Sequence, residues 1–141
     1  MSLRTSLALL FLCLTALPLG ATDIVWPTTM DRALIRTPQE YLQPTVSGNM
    51  ESALFGMVRE EGKRFHEGID IRPAKTNADG EALDLVLAAM DGQVAYLNTN
   101  VNGPYGRYVV LHHGAAEIPV YTLYAHLAKI EPSLKPAQPI R

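Results

Sequence analysis

From position 46 onward, the chain alternates short apolar segments with Gly, Asn and Asp residues. Apolar segments that are closely spaced and bounded by turn residues are typical of short β-strands. The predicted strands cover residues 53–58, 64–66, 85–90, 93–97, 107–113 and 120–126. A turn is predicted at Glu60-Glu61-Gly62-Lys63. Asp91-Gly92 predicts an antiparallel hairpin between 85–90 and 93–97, because this dipeptide tolerates the positive φ angles of a two-residue turn. The pattern therefore predicts a small all-β domain with an antiparallel sheet.

The first residues follow a different pattern, which is typical of a secretory signal peptide over residues 1–21. Arg4 precedes an uncharged apolar run over residues 7–19, and the small residues Gly20 and Ala21 end it. The run is shorter than the roughly 20 residues that cross a bilayer. We therefore expect an exported protein, periplasmic or extracellular, with no membrane span after signal cleavage. An uncleaved anchor is the alternative, and lipid attachment at Cys13 is a lesser one.

Residues 22–45 form the next segment and show no sustained hydrophobic period. Pro27, Pro38 and Pro44 interrupt it, so we interpret it as an N-terminal arm or linker with, at most, a short helix near residues 30–34. Residues 46–141 then form one domain, because a chain of 141 residues is long enough for a single hydrophobic core.

Charge and cysteine content narrow the function. Twelve Lys and Arg against fourteen Asp and Glu give a formal net charge of -2, which argues against binding to nucleic acid or to an anionic membrane. Cys13 is the single cysteine of the chain, and it lies within the predicted signal peptide. A mature chain would have neither a disulfide nor a thiolate metal site. Any metal must then be bound by histidines and carboxylates.

His66 and Asp70 are the candidate metal ligands, with Gly68 between them. In a straight strand their Cα atoms would lie about 13 Å apart, which is too far for both side chains to reach one ion. The chain must therefore bend between them, and Gly68 permits a bend because it has no Cβ. An imidazole and a carboxylate together suit a borderline cation such as zinc. An exposed strand end is the alternative interpretation of this spacing.

His126 is the candidate catalytic residue. Alternation along residues 120–127 predicts that His126 shares a face with Thr122 and Tyr124, opposite the more apolar face of Tyr121, Leu123 and Leu127. His126 would then point away from the core toward a groove, with an ordinary surface histidine as the alternative. His112 and His113 are adjacent, so their side chains point to opposite faces of a strand. We expect His113 to be structural and His112 to be a poor substitute ligand.

Several motifs occur in one order along the chain and carry a resemblance to a known family. They are Leu54-Phe55-Gly56 with Arg59, Phe65-His66-Glu67-Gly68-Ile69-Asp70-Ile71, residues 86–94, Gly103-Pro104-Tyr105-Gly106, residues 109–114, and Tyr124-Ala125-His126-Leu127. This order resembles the lysostaphin/LytM-type zinc metallopeptidases, the peptidoglycan endopeptidases, over roughly residues 46–140.

The resemblance implies a fold, a cofactor and a set of roles. Members fold as a small antiparallel β domain of the barrel-sandwich hybrid type, with Zn²⁺ at the floor of a groove. His66 and Asp70 match the first two zinc ligands, and His126 matches the catalytic histidine of the Tyr-x-His-Leu strand. The substrate implied for the chain is the cross-link peptide of peptidoglycan.

The chain also departs from the pattern of the family. The family supplies its third metal ligand from a downstream His-x-His pair, and 15 residues that lack such a pair follow His126. We therefore expect a C-terminally incomplete copy without the last strands, with poor hydrolase activity and marginal stability. The loop over residues 72–84 is longer than usual and could reshape one wall of the groove. The alternative is a non-catalytic domain that binds peptidoglycan or regulates a partner cell-wall hydrolase. The retention of His66, Asp70 and His126 favours the enzyme.

Overall fold

The computed structural model of the chain describes residues 24–114 and 118–141. The predicted signal peptide and Cys13 lie outside the described residues. Within these ranges, no helix is long and apolar enough to cross a membrane. Helical structure in the same ranges is limited to three short 3₁₀ turns, at Arg32–Leu34, Pro38–Glu40 and Met50–Ala53. The predicted β character of the chain is thus confirmed for the described part.

Two antiparallel sheets organise the described residues. Their strands are β1 Gly56–Arg59, β2 Arg64–His66, β3 Gly92–Asn98, β4 Tyr108–His113, β5 Val120–Tyr124 and β6 Pro139–Ile140. Strands β1 and β2 form a two-stranded sheet, and the other four form a sheet in the order β5-β4-β3-β6. Every pairing within these sheets is antiparallel.

The small sheet confirms the predicted turn and corrects one strand boundary. Residues 60–63 form the turn between β1 and β2, with positive φ angles at Glu60, Glu61 and Gly62. The strand predicted over 53–58 begins later, at Gly56, because a 3₁₀ turn precedes it. Asn49 caps that turn by accepting a hydrogen bond from the Glu51 N–H at 3.0 Å. An Asn cap satisfies a backbone donor that a strand would have paired with a neighbour.

The hairpin predicted at Asp91-Gly92 is wrong. Strand β3 pairs with β4 and β6 instead, and Val86 in the preceding segment makes an isolated bridge to Thr28. Neither Asp91 nor Gly92 has the positive φ angle that the predicted turn requires. Gly92 serves a close approach, because a Cβ there would lie 2.6 Å from His113 Nδ1 and 2.7 Å from the His112 carbonyl oxygen. The dipeptide therefore reflects tertiary packing rather than a turn.

The hydrophobic core lies on one face of the large sheet. Val94, Val109 and Leu111 are buried there, and partly buried side chains from the last 15 residues cover them, including Leu127, Ile130, Leu134 and Ile140. Tyr124 also packs on this cluster. The predicted alternation on β5 is therefore reversed: Thr122 and Tyr124 face inward, whereas Tyr121 and Leu123 are 55% and 45% exposed. The strand also ends at Tyr124, two residues before His126.

Hydrogen bonds explain why polar side chains occupy the inner face of β5. His113, only 5% exposed, lies 2.7 Å from the Thr122 hydroxyl through Nε2 and 2.9 Å from the Asp91 carbonyl oxygen through Nδ1. The Tyr124 hydroxyl accepts a hydrogen bond from the Ala89 N–H at 2.8 Å. Buried polar groups are tolerated when they are hydrogen-bonded. These contacts therefore explain why the face of β5 with fewer apolar residues is the buried one. His113 is structural, as predicted.

The segment over residues 24–45 runs alongside the residues that connect β2 to β3. Val25 N–H donates to the Ala89 carbonyl oxygen at 2.8 Å, and Leu87 N–H donates to that of Pro27 at 2.9 Å. Leu42 is 1% exposed and bridges Ile71. These contacts hold the segment against residues 71–89, which include the polar loop that follows Asp70.

Candidate metal centre

The small sheet brings the two predicted metal ligands together. His66 is the last residue of β2, and a bend centred on Gly68 returns the chain so that Asp70 faces it. His66 Nε2 lies 3.3 Å from Asp70 Oδ1, and the two side chains are 16% and 27% exposed. The bend is as predicted, but Gly68 makes it without a positive φ angle. The position of Asp70 after the bend is fixed by its backbone N–H, which donates to the Ala53 carbonyl oxygen at 2.9 Å.

The orientation of the His66 ring follows from a single backbone contact. Its Nδ1 lies 2.8 Å from the Leu54 carbonyl oxygen. A carbonyl oxygen only accepts hydrogen bonds, so the hydrogen of the neutral ring is assigned to Nδ1. The lone pair is then on Nε2, the atom that faces Asp70. Histidines that bind metals generally donate their other ring N–H to a carbonyl or carboxylate in this way.

The His66 and Asp70 donors fit two positions of a tetrahedral zinc site. Ligand atoms at about 2.0–2.1 Å from a tetrahedral ion lie roughly 3.3–3.4 Å from each other. The observed distance of 3.3 Å between the nitrogen and the oxygen agrees with this spacing. Within residues 24–114 and 118–141, however, no three His, Cys, Asp or Glu side chains converge on one metal position. The described residues thus bring two of the predicted donors together without a third.

Arg59 contacts both members of this pair. Its Nη2 atom lies 3.1 Å from His66 Nε2 and donates to Asp70 Oδ2. The Arg59 side chain is 14% exposed, so the ion pair with Asp70 is largely sheltered from water. The guanidinium Nε also donates to the Ser52 carbonyl oxygen. Arg59 belongs to one of the motifs of the sequence, but no role in the site was predicted for it.

Three consecutive backbone carbonyls accept hydrogen bonds from the three residues of this cluster, Arg59, His66 and Asp70. The Ser52 carbonyl accepts from Arg59, the Ala53 carbonyl from the Asp70 N–H, and the Leu54 carbonyl from His66. Ser52 and Ala53 are themselves buried, at 4% and 0% exposure. The end of the 3₁₀ turn and the residue after it therefore form a fixed edge, which we call the carbonyl edge (residues 52–54).

His126 lies outside this ligand pair, just beyond the end of β5. Its side chain is exposed, and its backbone has a positive φ of 56°. The His126 N–H donates to the Tyr105 carbonyl oxygen at 2.9 Å, and the Leu127 N–H donates to that of Arg107 at 3.0 Å. The loop before β4 therefore fixes the backbone of His126. A non-glycine residue in the left-handed region is uncommon and is often found at functional positions.

A side-chain contact links this loop to the segment that follows β2. The Tyr105 hydroxyl donates a hydrogen bond to Glu67, the residue after His66. This hydrogen bond and the negative charge of Glu67 raise the pKa of Tyr105 above its ordinary value of 10.0. Tyr105 thus contacts the His126 backbone through its carbonyl and the His66 segment through its phenol. The Gly-Pro-Tyr-Gly loop motif was the only sequence signal for this role.

The other two histidines lie away from the ligand pair. His112 stacks at a tilt against Tyr121, with 5.0 Å between the ring centroids, on the face of the large sheet opposite the core. His113 is buried and hydrogen-bonded on the inner face. The two side chains point to opposite faces, as predicted. Neither belongs to a group that could hold a metal ion within the described residues.

One of three comparisons with known proteins supports the family resemblance. The family model described as Peptidase family M23 matches residues 64–141, which is more than half of the chain. The matched range contains His66, Asp70 and His126, whereas Arg59 and the carbonyl edge precede it. A search of curated proteins gave no match, and neither did a search of solved structures.

Proposed function

The chain belongs to peptidase family M23, the lysostaphin/LytM type, and from this premise we propose that it is a zinc metalloendopeptidase-type domain acting on peptidoglycan cross-link peptides. His66 and Asp70 are its metal ligands, and His126 is its catalytic histidine. The observation that carries the proposal is the 3.3 Å distance between His66 Nε2 and Asp70 Oδ1. The hydrogen bond from His66 Nδ1 to the Leu54 carbonyl oxygen supports it, because it presents the lone pair of Nε2 to a metal.

The residues of the chain have distinct tasks in this proposal. Zinc, when bound, supplies a Lewis acid that polarises a peptide carbonyl and lowers the pKa of water. His66 and Asp70 hold it, and the carbonyl edge fixes their orientation. His126, with its exposed imidazole, can accept a proton from an attacking water or donate a hydrogen bond to the developing oxyanion. Turnover should be slow, because the part of the chain that the structure describes brings only two donors together, and two donors bind zinc weakly.

The organisation of the chain follows from the same proposal. Residues 1–21 act as a signal peptide, residues 22–45 lead into the domain, and residues 46–141 form the metallopeptidase-like β domain with a groove at the ligand pair. The protein is exported to the periplasm or beyond, where peptidoglycan is accessible. Family membership supports this localisation, since M23 peptidases act on the cell wall.

The test is digestion of purified peptidoglycan with the full chain, with and without added zinc. Mass spectrometry should detect shortened cross-link peptides with new amino termini, and a chelator should prevent their formation. The His66→Ala variant should release no peptides, whereas His112→Ala, which alters a histidine outside the site, should behave as the wild type. Release that continues in the presence of chelator, or in His66→Ala, would contradict the proposal.

A second candidate function is favoured by the two-donor set and by the Arg59 contact with both donors. In this alternative the domain binds peptidoglycan, or regulates a partner cell-wall hydrolase, without cleaving peptide bonds. Co-sedimentation with peptidoglycan in the absence of any released peptide, unchanged in His66→Ala, is the result that would favour it over the enzyme.

A further inference from the structure

We propose that Arg59 is a built-in competitor of the metal at His66 and Asp70. Its guanidinium holds the two donors while no metal is bound, and it must release His66 before a metal can bind there. The inference rests on the proposed function, because it takes His66 and Asp70 as the metal ligands. It adds that the strength of metal binding is set by a residue that is not itself a ligand.

The contact at His66 makes the two cations mutually exclusive. A neutral imidazole has one in-plane lone pair, and the hydrogen bond to the Leu54 carbonyl oxygen assigns that lone pair to Nε2. Arg59 Nη2, a donor, lies 3.1 Å from Nε2 and is therefore paired with it. The same lone pair cannot accept an N–H and bind a metal. Metal binding through Nε2 thus requires that the Arg59–His66 contact be broken.

The contact at Asp70 imposes a weaker constraint. Arg59 donates to Oδ2, whereas it is Oδ1 that lies 3.3 Å from His66 Nε2. A carboxylate has about four lone-pair sites, so Asp70 can keep Arg59 on one oxygen and bind a metal through the other. The rearrangement that metal binding demands is therefore concentrated at His66.

Charge opposes the metal even if Arg59 keeps its contact with Asp70. A guanidinium is permanently positive, and a divalent ion a few ångströms away repels it. Arg59 cannot simply move into solvent without loss, because it is 14% exposed and its Nε is bound to the Ser52 carbonyl oxygen. The cost of displacement must come from the free energy of metal binding.

The same contacts give Arg59 a second effect of opposite sign. While no metal is bound, Arg59 neutralises the Asp70 carboxylate, which is 27% exposed, and satisfies the His66 lone pair. Removal of one partner of such a sheltered pair leaves a charge without compensation. Loss of Arg59 should therefore destabilise the metal-free chain and strengthen metal binding. A residue that only supports the fold would not produce this combination.

The test is a Zn²⁺ titration of the full chain, followed by calorimetry and by the NMR signals of the His66 ring. Arg59→Gln should lower the apparent dissociation constant at least about tenfold, because one positive charge near a divalent ion is removed. The matched control is Arg64→Gln, which removes the same charge from the small sheet. Arg64 is bound to Glu60 at 2.6 Å and has no contact with either donor, so we expect a change of no more than about twofold.

Two further measurements keep the test decisive if Arg59→Gln folds poorly. Arg59→Lys keeps the charge but loses the planar fork, and its affinity should fall between those of the wild type and Arg59→Gln. In the wild-type chain, the Arg59 Nε–H signal should shift at the same zinc concentration as the His66 ring. Unchanged Arg59 signals during His66 saturation would overturn the inference, as would weaker zinc binding in Arg59→Gln.

Failure of the inference can be distinguished from failure of the proposed ligand set. If His66→Ala and Asp70→Ala both bind zinc as the wild type does, the ligand assignment itself is wrong. If both lose zinc binding and Arg59→Gln does not gain it, the ligands stand and the competition by Arg59 is refuted. Gain in Arg59→Gln together with loss in the two alanine variants is the result that supports both.

Discussion

The phenol of Tyr105 donates a hydrogen bond to the carboxylate of Glu67, and this contact joins the loop behind His126 to the segment that carries His66. The Tyr105 carbonyl oxygen accepts a hydrogen bond from the His126 N–H, and Glu67 directly follows His66 in the chain. The contact is thus a side-chain link between the two parts of the proposed site, and the ionisation of its phenol can be measured.

Ionisation of Tyr105 should occur above its ordinary pKa of 10.0, because the hydrogen bond and the charge of Glu67 both favour the protonated phenol. Below pH 10 both folded and unfolded chains hold this proton. Above that pH the unfolded chain loses it first, so the free energy of unfolding falls until the folded phenol also ionises. Phenolate absorbance during a pH titration provides the measurement. Glu67→Gln should lower the midpoint, whereas Glu61→Gln should not; equal midpoints in all three chains would refute the contact.

Zinc content should depend on both proposed ligands. His66→Ala and Asp70→Ala each remove one of the two proposed donors, so elemental analysis after equilibration with zinc should find most of the metal lost. A control at a histidine outside the proposed site is needed, because surface histidines also bind zinc weakly. His112→Ala should retain the metal content of the wild type. Retention of zinc in either ligand variant would show that the metal is bound elsewhere.

His126→Ala should separate metal binding from catalysis. His126 is exposed and lies outside any group that could hold a metal within residues 24–114 and 118–141, so zinc binding should persist. Release of peptides from peptidoglycan should fall by about 10²–10⁴-fold, the usual contribution of a general acid or base. Parallel loss of zinc would make His126 a ligand, and undiminished release would make it an ordinary surface residue.

Gly92→Ala should destabilise the fold by about 1–3 kcal/mol, because the new methyl group would overlap His113 and the His112 carbonyl. Chemical denaturation gives the free energy of unfolding directly. Gly68→Ala is the matched control: its Cβ meets nothing within 4 Å and its φ is not positive. The control should change stability by less than about 0.5 kcal/mol. Equal effects of the two substitutions would mean that the close packing at Gly92 is not present.

Local patterns in the sequence were sufficient for the strands whose turns are encoded nearby. The Glu60–Lys63 turn, β2, β4 and the start of β5 follow from alternation and turn residues within a few positions. The predicted hairpin at Asp91-Gly92 is wrong because the glycine is needed for close packing against His113, which lies about twenty residues away along the chain. A short-range signal cannot reveal a contact over that distance.

Face assignment on β5 failed for a related reason. Counting apolar residues favoured Tyr121 and Leu123 for the core, yet Thr122 and Tyr124 are inside, where their hydroxyls contact His113 and Ala89. Whether a buried hydroxyl finds a partner depends on strand register. Register is set by pairing between β4 and β5, which the sequence of β5 alone does not contain.

The approach of His66 to Asp70 could be predicted from spacing and motif order, whereas the contact of Arg59 with both side chains could not. His66 and Asp70 are four residues apart, so a single bend decides whether they meet. Arg59 reaches them because β1 pairs with β2 and because Ser52 offers its carbonyl. Those two conditions depend on the path of the backbone, and no residue pattern records them.

The carbonyl edge makes the proposed site tolerant of one kind of mutation and sensitive to another. The carbonyl oxygen belongs to the backbone and is the same for every residue type. Substitutions at residues 52–54 that keep the backbone path therefore also keep all three anchors. An inserted or deleted residue would shift each anchor to the wrong partner at once. Buried side chains limit the choice at Ser52 and Ala53, and the Ser52 hydroxyl is also hydrogen-bonded to Thr45 and to the Asn49 carbonyl oxygen. Alanine at Leu54 should therefore leave the three anchors in place, whereas a change in chain length would break all of them.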